Sequence, residues 1–215
     1  MAVPSIPHKT PVALAVWRPA RVPEPLISVI IPMASGEAEP HGLLSAMPDD
    51  VEIILARGGT RATSMNHAAE IAKGAHFWFV HADTRIKPEA IQALLGKLPR
   101  EKATLYFDLR FDGGLFMRLT ELGVLTRSRL LGLPFGDQAL CLSRNAFRAL
   151  GGYDERAIEG EDHLLVRKAH RAGLAVEPVG VTILTSARKY HRNGWFRTTW
   201  LHLRLTVRQT VLPLR

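Results

Sequence analysis

Three short apolar runs, each followed by a segment of helical period, constrain this chain more than any other feature of it. They are Leu26-Ile27-Ser28-Val29-Ile30-Ile31, Val51-Glu52-Ile53-Ile54-Leu55 and Phe77-Trp78-Phe79-Val80. Runs this short and this rich in β-branched and aromatic residues predict strands buried on both faces. Pro32 stops the first and Gly58-Gly59 the second. Between them the period changes. Leu43–Met47 predicts a short helix. Met65, Ala68, Ala69 and Ala72 recur at helical spacing before Gly74. Pro88 opens a third helix with the stripe Ile91, Leu94, Leu95 and Leu98. Strand alternating with helix calls for an α/β fold, a mostly parallel sheet with helices on both faces. A chain of 215 residues has room for one such domain.

The second half changes character. Ala103, Leu105, Phe107, Leu109 and Phe111 alternate with more polar residues, the period of a strand with one wetter face. A leucine-rich helix is expected over Leu115–Leu131 and a strand over Gln138–Leu142. Ser143 caps a short helix that ends at Gly151-Gly152. Glu161 and Asp162 begin another helix, and Arg167, Lys168 and Arg171 close it, an order that complements the helix dipole. Leu174–Glu177 and Val181–Leu184 read as two short strands. Phe196, Trp200, Leu203 and Val207 make a last helical stripe. The organisation expected is a proline-rich arm over 1–25 with one short strand at Val12–Trp17, a single domain over 26–194, and a basic amphipathic helix over 195–215.

The net charge of +8 favours an anionic partner. Its arginines are spread along the chain, with no helix-turn-helix, zinc or RNP signature, so nucleic acid is not expected. No apolar stretch reaches the roughly 18 residues that span a bilayer, and no basic leader with a cleavage site opens the chain. The single cysteine, Cys141, lies in an apolar run and reads as a core thiol, which fits a reducing compartment. The expectation is a cytoplasmic protein. The side of the last helix that carries Arg197, Arg204 and Arg208 would allow peripheral contact with an acidic inner membrane face.

Four constellations carry chemistry. Asp83 follows an apolar strand directly, at the end of the sheet where ligands sit. It reads either as a carboxylate for a divalent cation or as the first residue of a turn. Glu161-Asp162 at a helix N-terminus is either a base that takes a proton from a hydroxyl or a complement to the dipole. Gly58-Gly59-Thr60-Arg61 before a helix can receive phosphate. The basic run Arg188-Lys189-Tyr190-His191-Arg192 is either a clamp for a phosphate leaving group, through Arg188, His191 and Arg192, or a solvated loop.

Taken in order, Ser28-Val29-Ile30-Ile31-Pro32, Thr60 to Asn66, Ala75 to Thr84, Gly136-Asp137-Gln138, Phe147 to Asp154 and Glu161-Asp162 resemble glycosyltransferase family 2. The resemblance covers about residues 26–200. His81-Ala82-Asp83-Thr84 and Thr185-Ser186-Ala187-Arg188 are similar to a narrower subgroup, the transferase 2 associated with radical-SAM/selenodomain proteins. It implies the GT-A fold and an inverting transfer of sugar from a UDP- or GDP-sugar to an acceptor hydroxyl, lipid-linked acceptors included. By resemblance, Asp83 binds the Mn2+ or Mg2+ that bridges the donor diphosphate, and Asp162 is the general base with Glu161 beside it. Pro32, Arg61 and Asn66 line the nucleotide pocket, with His81 and Ala82 in the metal motif. Asp137 and Gln138 face the acceptor or the sugar.

Two positions depart from the family pattern. Leu55-Ala56-Arg57-Gly58-Gly59 stands where members carry an Asp-Asp-Gly-Ser-type stretch, and His81 replaces the first acidic residue of the metal motif. Arg57 or Glu37 is the expected replacement for the missing donor contact. The alternatives are a degenerate, non-catalytic binding protein of the same fold and a nucleotidyltransferase. The second is disfavoured because Pro32-Met33-Ala34-Ser35-Gly36 has too few glycines and no lysine.

Overall fold

Among the described residues seven strands form one sheet in the order β1-β3-β2-β4-β6-β5-β7. They are β1 (Ala13–Arg18), β2 (Ile27–Met33), β3 (Glu52–Arg57), β4 (His76–Phe79), β5 (Ala103–Phe111), β6 (Cys141–Ser143) and β7 (Ala175–Thr185). The helices are α1 (His41–Ala46), α2 (Arg61–Ile71), α3 (Pro88–Leu95), α4 (Leu115–Leu130), α5 (Arg144–Ala149) and α6 (Glu161–Arg171). The computed structural model describes residues 11–157 and 160–187 and the single positions 194, 197, 199 and 200. Arg188, His191 and Arg192, residues 1–10 of the arm and most of the helix expected over 195–215 lie outside the described residues.

β2 pairs in parallel with β3 and β4, and β5 in parallel with β7. Among the described strands only the edge strand β1 and the three-residue β6 run against the others. This is the mostly parallel, single-domain sheet that the alternation of runs implies. Alternate residues of each central strand face opposite layers. Val29, Ile31, Ile53, Leu55 and Trp78 join one core with Leu44 of α1, Ile91 and Leu94 of α3 and Val124 of α4. Ile30, Ile54, Phe77 and Phe79 join the other with Ala62, Met65 and Ala68 of α2, Phe147 of α5 and Leu165 of α6. Cys141 is fully buried in the first core, and burial pushes its thiol up.

The short strand expected at Val12–Trp17 is β1, hydrogen-bonded along β3. Three details differ from the expectation, each for a local reason. β2 runs through Pro32. Ile30 accepts from the Val80 amide on the β4 side, and pairing with β4 ends there while pairing with β3 continues to Met33. The missing N–H of Pro32 therefore points past the end of β4, where no ladder bond is lost. Gly136–Gln138 is a 3-10 turn rather than the start of a strand, and β6 begins only at Cys141. The buried Gln138 amide replaces the ladder: it donates to the Phe107 carbonyl and accepts from the Phe135 N–H. The two short strands expected after α6 are one strand, β7, whose register against β5 shifts between Tyr106 and Asp108. Gly180 lies in that shift at φ 95°, so the chain kinks without leaving the sheet.

Candidate active site

The C-terminal ends of β2, β3 and β4 open into a cavity of about 390 Å3. After β2 it is lined by Pro32, Met33, Ala34 and Glu37. After β3 come Gly58, Gly59 and Thr60, with Arg61 and Ser64 of α2, and after β4 come His81, Ala82 and Asp83. Ligands of open parallel sheets bind at this edge. Gly58 and Gly59 have φ of 82° and 65°, which a side chain disfavours, and they turn the chain sharply into α2. The Thr60 hydroxyl then caps α2 by accepting from the Thr63 amide at 3.1 Å. The cap fixes Arg61 as the first helical residue, at the cavity wall.

Arg61 organises the site. Its Nε donates to Glu161 Oε1, and its Nη2 donates to Asp162 Oδ2 at 2.6 Å. Its Nη1 is 3.2 Å from His81 Nε2. One guanidinium thus joins the strand end that carries Asp83 to the acidic pair, which lies 100 residues after Arg61 itself. Glu161 and Asp162 open α6 after Gly160, which takes the left-handed φ of 79°. Both carboxylates are nearly closed off from solvent, whereas the Arg61 side chain is 41% exposed. The acidic pair therefore lies behind Arg61 and not on the cavity wall.

Behind Asp162 is Gly136, whose amide donates to the carboxylate. A Cβ at Gly136 would lie 2.2 Å from Asp162 Oδ2, so no side chain fits there. Burial pushes the Asp162 carboxyl up. Arg61 and the Gly136 amide oppose that, and Glu161 and Asp137 add to it, leaving a pKa of about 6. Burial works against the Arg61 charge, but Asp162 and Glu161 outweigh it and raise its pKa, so Arg61 is always a cation. An arginine and two acids this close form charge-assisted bonds in a low dielectric.

The other residues singled out in the sequence are spread around this centre. Pro32, His81, Ala82 and Asp83 line the cavity with Arg61. Arg57 does not: its Nη1 donates to the Glu37 carbonyl at 2.6 Å and pins the loop after β2. Asn66 is turned toward the 152–155 turn, giving its amide hydrogens to the Tyr153 carbonyl and Glu155 Oε1 and accepting from the Tyr153 N–H. Asp137 neighbours Asp162 from the 136–138 turn, while Gln138 is buried with its amide engaged in holding that turn. Sequence reasoning missed Ser64, Met33 and Ala34 as cavity residues. It also missed the role of Gly136, whose only signal was a glycine directly before Asp137.

Among the described residues no three histidine, cysteine or carboxylate side chains cluster to hold a metal ion. Asp83 is half-buried on the cavity wall beside His81. This donor set fits an ion that arrives on a diphosphate and takes one protein carboxylate, and it does not fit a preformed protein cage.

The family model described as glycosyl transferase family 2 matches residues 39–147, half of the chain. No curated protein sequence matches it. Among solved structures, the 1–349 fragment of S. aureus TarS is similar at 15% identity with a TM-score of 0.57, over 75% of this chain and 60% of that one. The same fragment is known in complex with UDP-GlcNAc. The mannosyltransferase PcManGT from Pyrobaculum calidifontis, in complex with GDP-Man and Mn2+, is similar at 15% identity with a TM-score of 0.58, over 79% of this chain and 59% of that one. The chain thus spans about 60% of the length of these structures, and at such identity the likeness shows the fold.

Proposed function

Since the chain belongs to glycosyl transferase family 2, we propose that it moves a sugar from a nucleoside-diphosphate sugar to an acceptor hydroxyl with inversion at the anomeric carbon. The observation that supports this reading is the Arg61 bridge, which holds a buried carboxylate pair against the wall of a cavity at the sheet's ligand-binding edge. The donor diphosphate lies in the cavity against Arg61, His81 and the α2 N-terminus, whose free amides favour an anion. Asp83 would hold the divalent ion that accompanies the diphosphate, and that ion would supply positive charge against the leaving group. The similar structures bind UDP-GlcNAc and GDP-Man, so UDP- and GDP-sugars are the donors to test.

Asp162 is the general base. Its pKa of about 6 leaves it ionised at neutral pH, yet more basic than an ordinary carboxylate. Arg61 covers it when the cavity is empty. The donor phosphates compete for the same guanidinium, and drawing Arg61 toward them uncovers Asp162 for the acceptor. Asp162 then takes the hydroxyl proton, the oxygen attacks the anomeric carbon, and the nucleoside diphosphate leaves from the opposite face. His81-Ala82-Asp83-Thr84 and the Thr185-Ser186-Ala187 stretch support the radical-SAM/selenodomain-associated subgroup. An acidic membrane surface and a lipid-linked acceptor are the partners that fit the basic charge of the chain.

A non-catalytic binding protein is the second reading. It is favoured by Arg57, which ends β3 in the stretch where members carry an acidic Asp-Asp-Gly-Ser-type run and is used on the Glu37 carbonyl. A panel of UDP- and GDP-sugars with Mn2+ separates the two. Release of nucleoside diphosphate that is lost in Asp162→Asn supports transfer. Nucleotide binding without turnover supports the second reading.

A further inference from the structure

α4 is amphipathic in the wrong sense for a helix on a protein surface. The face it turns to the sheet carries Met117, Thr120, Val124 and Ser128, two of them hydroxyl residues. The face it turns outward carries Leu115, Leu119, Leu122, Leu125 and Leu130, from 42% to 80% exposed. Positions 115, 119, 122 and 130 fall on one stripe of the helix. A stripe of this kind left in water is unfavourable, by roughly 25 cal/mol for each Å2 of apolar surface.

The charges around the stripe say what covers it. Arg118 and Arg129 flank it and are 61% and 40% exposed, while the carboxylates they touch, Glu121 and Asp108, are only 14% exposed. Arginines therefore face outward and acids inward. Residues 188–215 add seven lysines and arginines and no carboxylate. A second copy placed face to face on this helix would set arginine against arginine, and the chain's own basic C-terminal segment would do the same. An anionic lipid surface satisfies both features at once, taking leucines into the acyl boundary and arginines at the level of the headgroups. α4 has 16 residues and is too short to span a bilayer, so it lies in the plane.

We propose that the outer face of α4 docks this protein on anionic lipid. The inner side of the same helix reaches the active site: Arg127 packs over the Phe135 ring and donates to Gln138 in the turn that backs Asp162. Docking by α4 thus brings the acceptor side of the site to the membrane surface. The docking requires no nucleotide and stands or falls apart from the reading of transfer.

The full chain is floated with vesicles of phosphatidylcholine alone or mixed with phosphatidylglycerol. Binding is expected only to the mixed vesicles, and it should weaken with salt. The double variant Leu119→Ser/Leu122→Ser should bind at least about tenfold more weakly, since two leucines lose their burial. Equal binding by the variant, or none by the parent, overturns the proposal. So does a variant that turns a parent dimer into a monomer without changing lipid binding. A second measurement does not depend on the double variant. Leu119→Cys carries an exposed thiol while Cys141 is buried, so a polarity-sensitive dye attached there should shift to the blue on mixed vesicles. An unchanged spectrum overturns the proposal as well.

Discussion

Asp162 is held in a balance that single substitutions can read. Its carboxyl is raised to about 6 by burial against the pull of Arg61. Between an ordinary carboxylate value of about 4 and that raised value, the folded chain binds the proton more tightly than the unfolded one. The stability this group contributes therefore declines as pH rises through that window, and above pH 6 the fold carries the whole cost of a buried anion. Asp162→Asn should thus abolish transfer while leaving stability at pH 8 unchanged or higher, measured by urea unfolding; a large loss at pH 8 would contradict the balance. The acid limb of kcat/KM for the donor, which reads the free protein with Arg61 still on Asp162, should fall near pH 6. His163, next in the chain, works in the opposite direction. Burial, with Arg167 and Arg127 nearby, lowers it to about 4, and neither ring nitrogen has a hydrogen-bond partner. Unfolding takes up its proton below about pH 6.5, so this contribution is lost as pH falls from there toward 4. His163→Leu should raise Tm at pH 8 and raise it more at pH 5, since no imidazole then waits to be charged.

At the scale of elements, the sequence was legible wherever hydrophobic period alone decides the outcome. The three opening runs became β2, β3 and β4, and the stripe after Pro88 became α3. Where a side chain does the work of a backbone partner, period misleads: the Gln138 amide made a 3-10 turn out of an apparent strand. Asp83 and the Glu161-Asp162 pair could be picked from their places at a strand end and a helix start. The Arg61 bridge could not, because nothing local marks a contact across a hundred residues. Gly74 shows the same limit. Its place after the apolar stripe of α2 marks a helix stop, but its structural reason is proximity. A Cβ there would meet the Ser28 amide nitrogen at 2.3 Å, and its own N–H donates to Ser28 Oγ at 2.7 Å. Since Ser28 Oγ is also bonded to the buried Glu52 carboxylate, the crossover from α2 to β4 has no room to give. Gly74→Ala should destabilise the domain by at least about 2 kcal/mol, seen as a lower urea midpoint at unchanged slope. An unchanged midpoint would mean that the crossover yields.

On the proposed reading, the molecule divides into a donor half and an acceptor half that meet at one guanidinium. The cavity belongs to β2, β3, β4 and the start of α2; Asp162, the proposed base, belongs to α6 and is backed by the turn before β6. Anything that fills the cavity and engages Arg61 must act on both halves, so donor binding should stabilise the entire fold and not the donor half alone. A nucleoside diphosphate at about a hundredfold above its Kd adds about 2.7 kcal/mol. For a domain of this length that is a rise in Tm of about 5–10 °C in a single transition. UDP and GDP with Mn2+ should be compared by calorimetry, and the base of the nucleotide is the one that gives the larger shift. Asp83→Ala should remove the Mn2+-dependent part of the shift and keep the part due to Arg61, and Arg61→Gln should remove most of both. If nucleotide instead splits the unfolding into two transitions, or shifts Arg61→Gln as much as the parent, the guanidinium does not join the halves and Asp162 is not controlled from the donor site.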